Sequence, residues 1–172
     1  MKRTKKLTLC AILSALAVVL LWLGKLLDVL DLSAAALASF FVVFLFMELG
    51  LFWAVMHWGV TAALALIVAS GSGAPLFYAV FGLYPVLKAY LERMPRIAEW
   101  VLKLIVCNVT LAAYILLAKY VFLLSDTALS GKWLWVFILL ANVVFVLYDI
   151  ALSRLITFYS LRLRRHFLRF LR

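Results

Sequence analysis

The basic residues Lys2, Arg3, Lys5 and Lys6 give way to an uncharged run from Leu7 to Gly24. Basic side chains resist crossing a bilayer, whereas roughly 20 consecutive apolar residues span its hydrocarbon core as a helix. The chain therefore opens as a membrane helix anchored on one side. Within the run, Ala11 and Ala15 lie one helical turn apart. Small residues at that spacing leave a groove that another helix can enter. Close packing of this kind drives helix association in lipid, where the hydrophobic effect contributes little.

Composition extends this reading to the whole chain. With 69% hydrophobic and 14% charged residues, a mean hydropathy of +1.19 and only 172 residues, the apolar side chains exceed what one soluble core can bury. Lipid must be the solvent. A net charge of +10 would suggest nucleic acid in a soluble protein. Here the Lys and Arg residues collect at the two ends and beside one internal loop, a pattern of membrane orientation rather than of nucleic-acid binding. Cys10 and Cys107 lie inside apolar runs without CxxC spacing, which reads as packing rather than a disulfide or metal site. The first apolar run exceeds a typical signal-peptide core and no small-residue cleavage site follows it directly, so it is expected to be a mature span.

Spans of roughly 20 residues divide the chain into six candidate helices, near Leu7–Leu27, Leu32–Leu49, Leu51–Ser70, Pro75–Leu91, Ile97–Leu124 and Trp133–Tyr159. The expected fold is an all-α integral membrane bundle of six transmembrane helices. Little but Gly50 separates the second and third, which requires a tight hairpin or one bent element. Gly82 and Pro85 weaken the backbone ladder within the fourth and predict a kink there.

With the N-terminus inside, one side of this layout receives Lys2, Arg3, Lys5, Lys6, Arg93, Arg96 and the tail arginines Arg162, Arg164, Arg165, Arg169 and Arg172. The other side holds chiefly Lys25, Asp28, Asp31, Asp126 and Lys132. Positive residues favour the cytoplasmic side, so both termini are expected there, in the plasma membrane. No repeat or long linker is visible, so 1–172 reads as a single transmembrane domain. Its stretch 159–172 interleaves Leu or Phe with Arg as a basic helical tail, suited to anchoring on anionic lipid.

The basic start, six spans in this length, cytoplasmic termini and the segment Ala11-Ile-Leu-Ser-Ala-Leu-Ala17 together resemble the S component of an energy-coupling factor transporter. Ala11 and Ala15 match that family's AxxxA pattern in the first helix. The resemblance implies a subunit that binds a vitamin-like small molecule and docks through Ala11, Ser14 and Ala15 on a transmembrane coupling subunit driven by two cytoplasmic ATPases. It implies no cofactor, and the sequence carries no signature of a particular vitamin or metal. The alternative for the same small-residue face is contact within the bundle itself.

The resemblance also places the binding site toward the external half, capped by the loops after the first, third and fifth helices. Those regions hold Lys25, Asp28 and Asp31, then Ser70 and Ser72, then Ser125, Asp126 and Lys132. Trp22, Tyr78, Tyr114, Tyr120 and Trp133 lie nearby, where their rings stack on a planar ligand or form the interfacial aromatic belt. By depth, Asn108 and Asn142 fall in mid-span, where polarity needs an explanation: contact with substrate or a hydrogen bond between helices.

A second polar group, Glu48, Lys88, Glu99, Lys103, Asp149 and Arg154, lies toward the inner face. Lys103 and Asp149 stand at comparable depth, so pairing would neutralise two costly charges. His57, beside Trp53 and Trp58, reads as a hydrogen-bonded packing residue.

Enzymatic chemistry lacks its parts. The only histidines, His57 and His166, are far apart and outside any HExxH, and Asp28 and Asp31 form a DxxD without further carboxylates to hold magnesium. Ser72 lacks the flanking glycines of GxSxG, and no GxxxxGK[ST] occurs, so ATP hydrolysis would fall to a partner. The sequence reads as a non-enzyme: an importer subunit or, alternatively, a structural scaffold of a cell-envelope assembly. A stand-alone secondary transporter fits less well because inverted halves are not visible.

Overall fold

The structure, a computed structural model, describes residues 3–27, 30–120 and 133–163, with the side chains of 118–120, 133–134 and 163 excepted. Asp28, Tyr120, Ser125, Asp126, Lys132 and Trp133 as candidate ligand side chains, and the tail beyond Leu163, lie outside the described residues.

The chain folds into α1 (Arg3–Leu26), α2 (Asp31–Leu49), α3 (Leu51–Val68), α4 (Gly73–Phe81), α5 (Tyr84–Leu91), α6 (Arg96–Tyr120) and α7 (Trp133–Phe158), the last continued by a π-helical turn, Tyr159–Leu163. With α4 and α5 counted together as Gly73–Leu91, 6 elements among the described residues are long and apolar enough to cross a membrane. The protein is an all-helical multi-pass membrane bundle. Its described span boundaries follow the sequence expectation closely, with α1 beginning within the basic start; the expected end of the fifth span at Leu124 lies outside the described residues.

Local chemistry explains the two irregular junctions. Gly50 takes φ +94° and ψ 177°, a region essentially restricted to glycine. Its amide donates to the carbonyls of Leu45 and Phe46 while its own carbonyl accepts from Ala54, so one residue ends α2 and starts α3. The helices pack against each other as a hairpin. The predicted kink in the fourth span is a full break between Phe81 and Tyr84. Pro85 stands in the first turn of α5, where an amide would have no helical acceptor. A Cβ on Gly82 would meet the Tyr78 carbonyl at 2.5 Å and the Trp58 ring at 2.9 Å, so only glycine fits.

The hub is α2, buried on several sides through Ala34, Ala35, Ala38, Ser39, Val42, Val43, Phe44 and Leu45 and packed against α1, α3, α4, α5 and α7. Small residues permit this. At Gly24 the approach of α1 to α2 is so close that a Cβ would stand 2.7 Å from that of Ala34. The face of α1 turned inward is Cys10, Ser14, Ala17, Leu21 and Gly24. Ser14 Oγ lies 2.7 Å from His57 Nδ1, a polar stitch between α1 and α3 that accounts for the histidine at this depth.

Candidate ligand cavity and the buried charge network

The alternating spans bring the starts of α2 and α4 and the far end of α6 to one end of the bundle. There a Cβ placed on Gly73 would lie 3.2 Å from the Tyr114 hydroxyl and 3.4 Å from the Asp31 carboxylate. These residues stand at the mouth of a partly open cavity of about 620 Å³ between α2 and α4 on one side and α6 and α7 on the other. That volume suits a small molecule. Along α2 the lining runs from Asp31 to Ser39, about 12 Å at helical rise, so the cavity extends from the bundle's end toward its middle.

Aromatic residues shape its walls. Phe77 and Phe81, one turn apart on α4, stack with centroids 4.3 Å apart, and Phe77 meets Tyr114 edge-on at 5.9 Å. Phe137, Phe145 and Tyr148 contribute from α7. The deep end carries hydroxyls. Ser39 Oγ donates to the Ala36 carbonyl at 2.7 Å and accepts from Tyr148 OH at 2.5 Å. Tyr78 also lines the cavity. Its hydroxyl lies near that of Thr61 on α3, yet neither, though fully buried, makes a well-formed hydrogen bond among the described residues.

The candidate ligand residues thus separate. Asp31, Tyr78 and Tyr114 line the cavity. At the same end Lys25 Nζ donates to the Ser70 carbonyl at 2.7 Å, tying the end of α1 to the turn after α3. Ser72 Oγ donates to the Ala69 carbonyl at 3.1 Å, a local turn bond. Lys25, Ser70 and Ser72 are rim and turn residues rather than lining. Asn108 and Asn142 bond reciprocally at 3.1 and 3.3 Å, and each donates to the carbonyl four residues back in its own helix, Leu104 or Ile138. Their amides hold α6 to α7 and do not line the cavity.

The expected docking face divides as well. Ala11 and Ala15 are exposed, on the side of α1 away from the bundle, whereas Ser14 and Ala17 are buried. Ser14 therefore leaves the docking set, because its hydroxyl is committed to His57. The spacing Cys10, Ser14, Ala17, Leu21, Gly24 carried the inward face in the sequence, whereas Ser14 sits between the two alanines in number but not in direction.

Below the cavity floor lies a network of charge. Asp149 on α7 accepts from Lys88 of α5 and from Tyr84 OH at 2.5 Å through Oδ1, and from Lys103 of α6 at 2.9 Å through Oδ2. The pair anticipated between Lys103 and Asp149 is present. Lys103 also reaches Glu99 at 2.6 Å, and Lys88 reaches Glu92 at 3.0 Å. Lys88, Lys103 and Asp149 are buried at 1%, 2% and 3% exposure, where charges persist only when paired. The Tyr84 ring packs edge-on against Phe145 at 4.7 Å and lies 6.0 Å from Tyr148, so this network shares a wall with the cavity. Of the remaining members of the inner polar group, Glu48 accepts from Tyr159 OH at 3.1 Å and Arg154 is exposed.

Ser39, Tyr148, Phe77 and Phe81 were missed as lining residues. A polar Ser39 in mid-span and a Tyr148 next to a buried aspartate were available signals; two phenylalanines in an apolar run were not.

Compared with known protein families, curated proteins and solved structures, the chain finds no match.

Proposed function

We propose that this protein is the substrate-binding and translocating subunit of a multi-component, ATP-driven importer of the energy-coupling factor type, taking up a vitamin-like small molecule through the plasma membrane. In this reading the termini are cytoplasmic, the Asp31 end of the bundle faces outward, and the cavity behind Asp31, Tyr78 and Tyr114 is the ligand site. That cavity is the observation that carries the proposal: it opens at the end shared by the turns after the first and third spans, where the resemblance puts a substrate pocket. The outward set of Ala11 and Ala15 supports the other half, since a small-residue surface left uncovered by the bundle suits a separable helix partner. The protein catalyses no reaction itself. A larger coupling subunit and two ATPases supply the work.

Native mass spectrometry of gently purified protein tests both halves. A retained small molecule together with retained membrane and ATPase subunits is the expected spectrum. A chain without either, from cells that express the full complement, overturns the proposal.

A further inference from the structure

Asn108 is exposed and Asn142 half-buried, in mid-span on the outer side of α6 and α7, where hydrocarbon offers neither a donor nor an acceptor. Their reciprocal bonds join the two helices but do not explain why the pair lies at the surface rather than in the core. Those bonds also leave capacity unused. Each side-chain oxygen accepts one bond among the described residues and keeps a second lone pair. Each amide gives its other N–H, at 2.8 Å, to a carbonyl of its own helix, Leu104 or Ile138, that already serves the helix ladder. These two N–H groups can turn to an outside acceptor without leaving a carbonyl unpaired.

The face of α7 beside Asn142 has the pattern of a helix seam. A groove runs along it, lined by Trp135, Leu139, Asn142 and Val146 at spacings of four, three and four residues. Parallel helices interlock with that alternation, and a single Asn within it fixes register and oligomeric state. Trp135 and Leu139 are 76% and 68% exposed, so no described residue packs over the seam.

A second copy of the chain is the occupant this chemistry selects. A two-fold axis along the membrane normal sets every residue of one copy at the depth of its counterpart, so the mid-span amides of the two copies meet at one level. A carboxamide carries both donor and acceptor and therefore complements itself: N–H groups released from Leu104 and Ile138 find the spare lone pairs of the other copy. A different partner would need its own polar group at the same depth. We propose that this protein forms a parallel two-fold dimer through the outer face of α7, closed at mid-membrane by Asn108 and Asn142 of both copies. The dimer goes beyond the importer reading and does not depend on it. Because α1 packs on α2, α3 and α4 while α7 packs on α6 and α2, the exposed Ala11 and Ala15 stay free for a separate partner.

Energy transfer between donor- and acceptor-labelled full chains tests it, in phosphatidylcholine vesicles over a series of protein-to-lipid ratios. Transfer in the parent should rise with the ratio and saturate as a dimer. Asn108→Leu with Asn142→Leu should weaken the association about tenfold or more. Val143→Trp fills the groove from a position that is 49% exposed, so the bundle itself tolerates it, and should weaken the association to a similar degree with the melting temperature of the dilute protein retained. Val60→Trp, 46% exposed on α3, should leave the association unchanged. A parent that stays monomeric at every ratio, or a dimer that survives either the asparagine double variant or Val143→Trp, overturns the proposal. In cells, Val143→Cys should cross-link to itself under oxidation; capture of a different membrane protein in place of a second copy overturns it equally. None of these results bears on the docking of α1 on a partner, which substitutions at Ala11 and Ala15 test separately.

Discussion

Removing the charge of Asp149 should be among the most damaging single changes this bundle can suffer. Asp149→Asn keeps the side-chain shape but leaves Lys88 and Lys103, at 1% and 2% exposure, without the carboxylate that both contact. One of the two amide positions becomes an N–H donor directed at an ammonium or at Tyr84 OH. Breaking a buried ion pair from one side costs about 3–5 kcal/mol, because a charge is left uncompensated. Glu99 at 2.6 Å still serves Lys103 and Glu92 at 3.0 Å still serves Lys88, which puts the expected loss at the lower end, about 3 kcal/mol. At roughly 2–4 °C per kcal/mol for a chain of this size, the melting temperature in detergent should fall by about 6–12 °C. Adding Lys88→Met and Lys103→Met removes the stranded cations and should recover most of that loss, because apolar groups of similar shape replace a buried ion network at little cost. A fall of less than about 2 °C in the single variant, or no recovery in the triple, would refute the claim that these charges are buried and mutually dependent.

Other substitutions follow from the same geometry. Gly82→Ala should destabilise the protein by more than about 2 kcal/mol, since its Cβ would lie 2.5 Å from a backbone carbonyl that cannot yield; thermal melting measures it, and an unchanged midpoint contradicts the break between α4 and α5. Ser14→Ala should cost about 0.6–2 kcal/mol by loss of the bond to His57 and should leave partner docking intact, as read by copurification. Asn108→Leu leaves the Asn142 amide without its partner and should cost about 1 kcal/mol, whereas Asn108→Leu with Asn142→Leu should cost no more than the single change. If the double variant loses small-molecule binding without loss of stability, the pair has a ligand role that its reciprocal bonds do not suggest.

Length and hydropathy made the spans legible, because a helix that must cross hydrocarbon declares itself in roughly 20 apolar residues. The special backbone at Gly50 and the interruption at Gly82 and Pro85 were readable for a related reason: few residues tolerate those conformations. Direction around a helix was harder. In lipid both faces of α1 are apolar, so hydrophobic periodicity does not separate inside from outside, and Ser14 fell into the wrong set beside Ala11 and Ala15. The resemblance put Asp31, Tyr78 and Tyr114 toward one end of the bundle, and the structure lines a cavity there with all three. Asn108 and Asn142 had the right depth for a ligand contact but were near enough to satisfy each other, a distance that one sequence does not contain. The charge network was half visible, since equal depth paired Lys103 with Asp149, while Tyr84 and Glu92 gave no cue.

Uptake and binding measured side by side on the variant Ala11→Trp, Ala15→Trp test the proposed role most directly. Both positions are exposed on α1 and apart from the cavity, so bulky rings there should block a partner helix without touching the ligand site. The account predicts that cellular uptake is lost and the coupling subunit no longer copurifies, while the isolated variant keeps the ligand affinity of the parent. Undiminished uptake, or a loss of binding in the isolated protein, would contradict it.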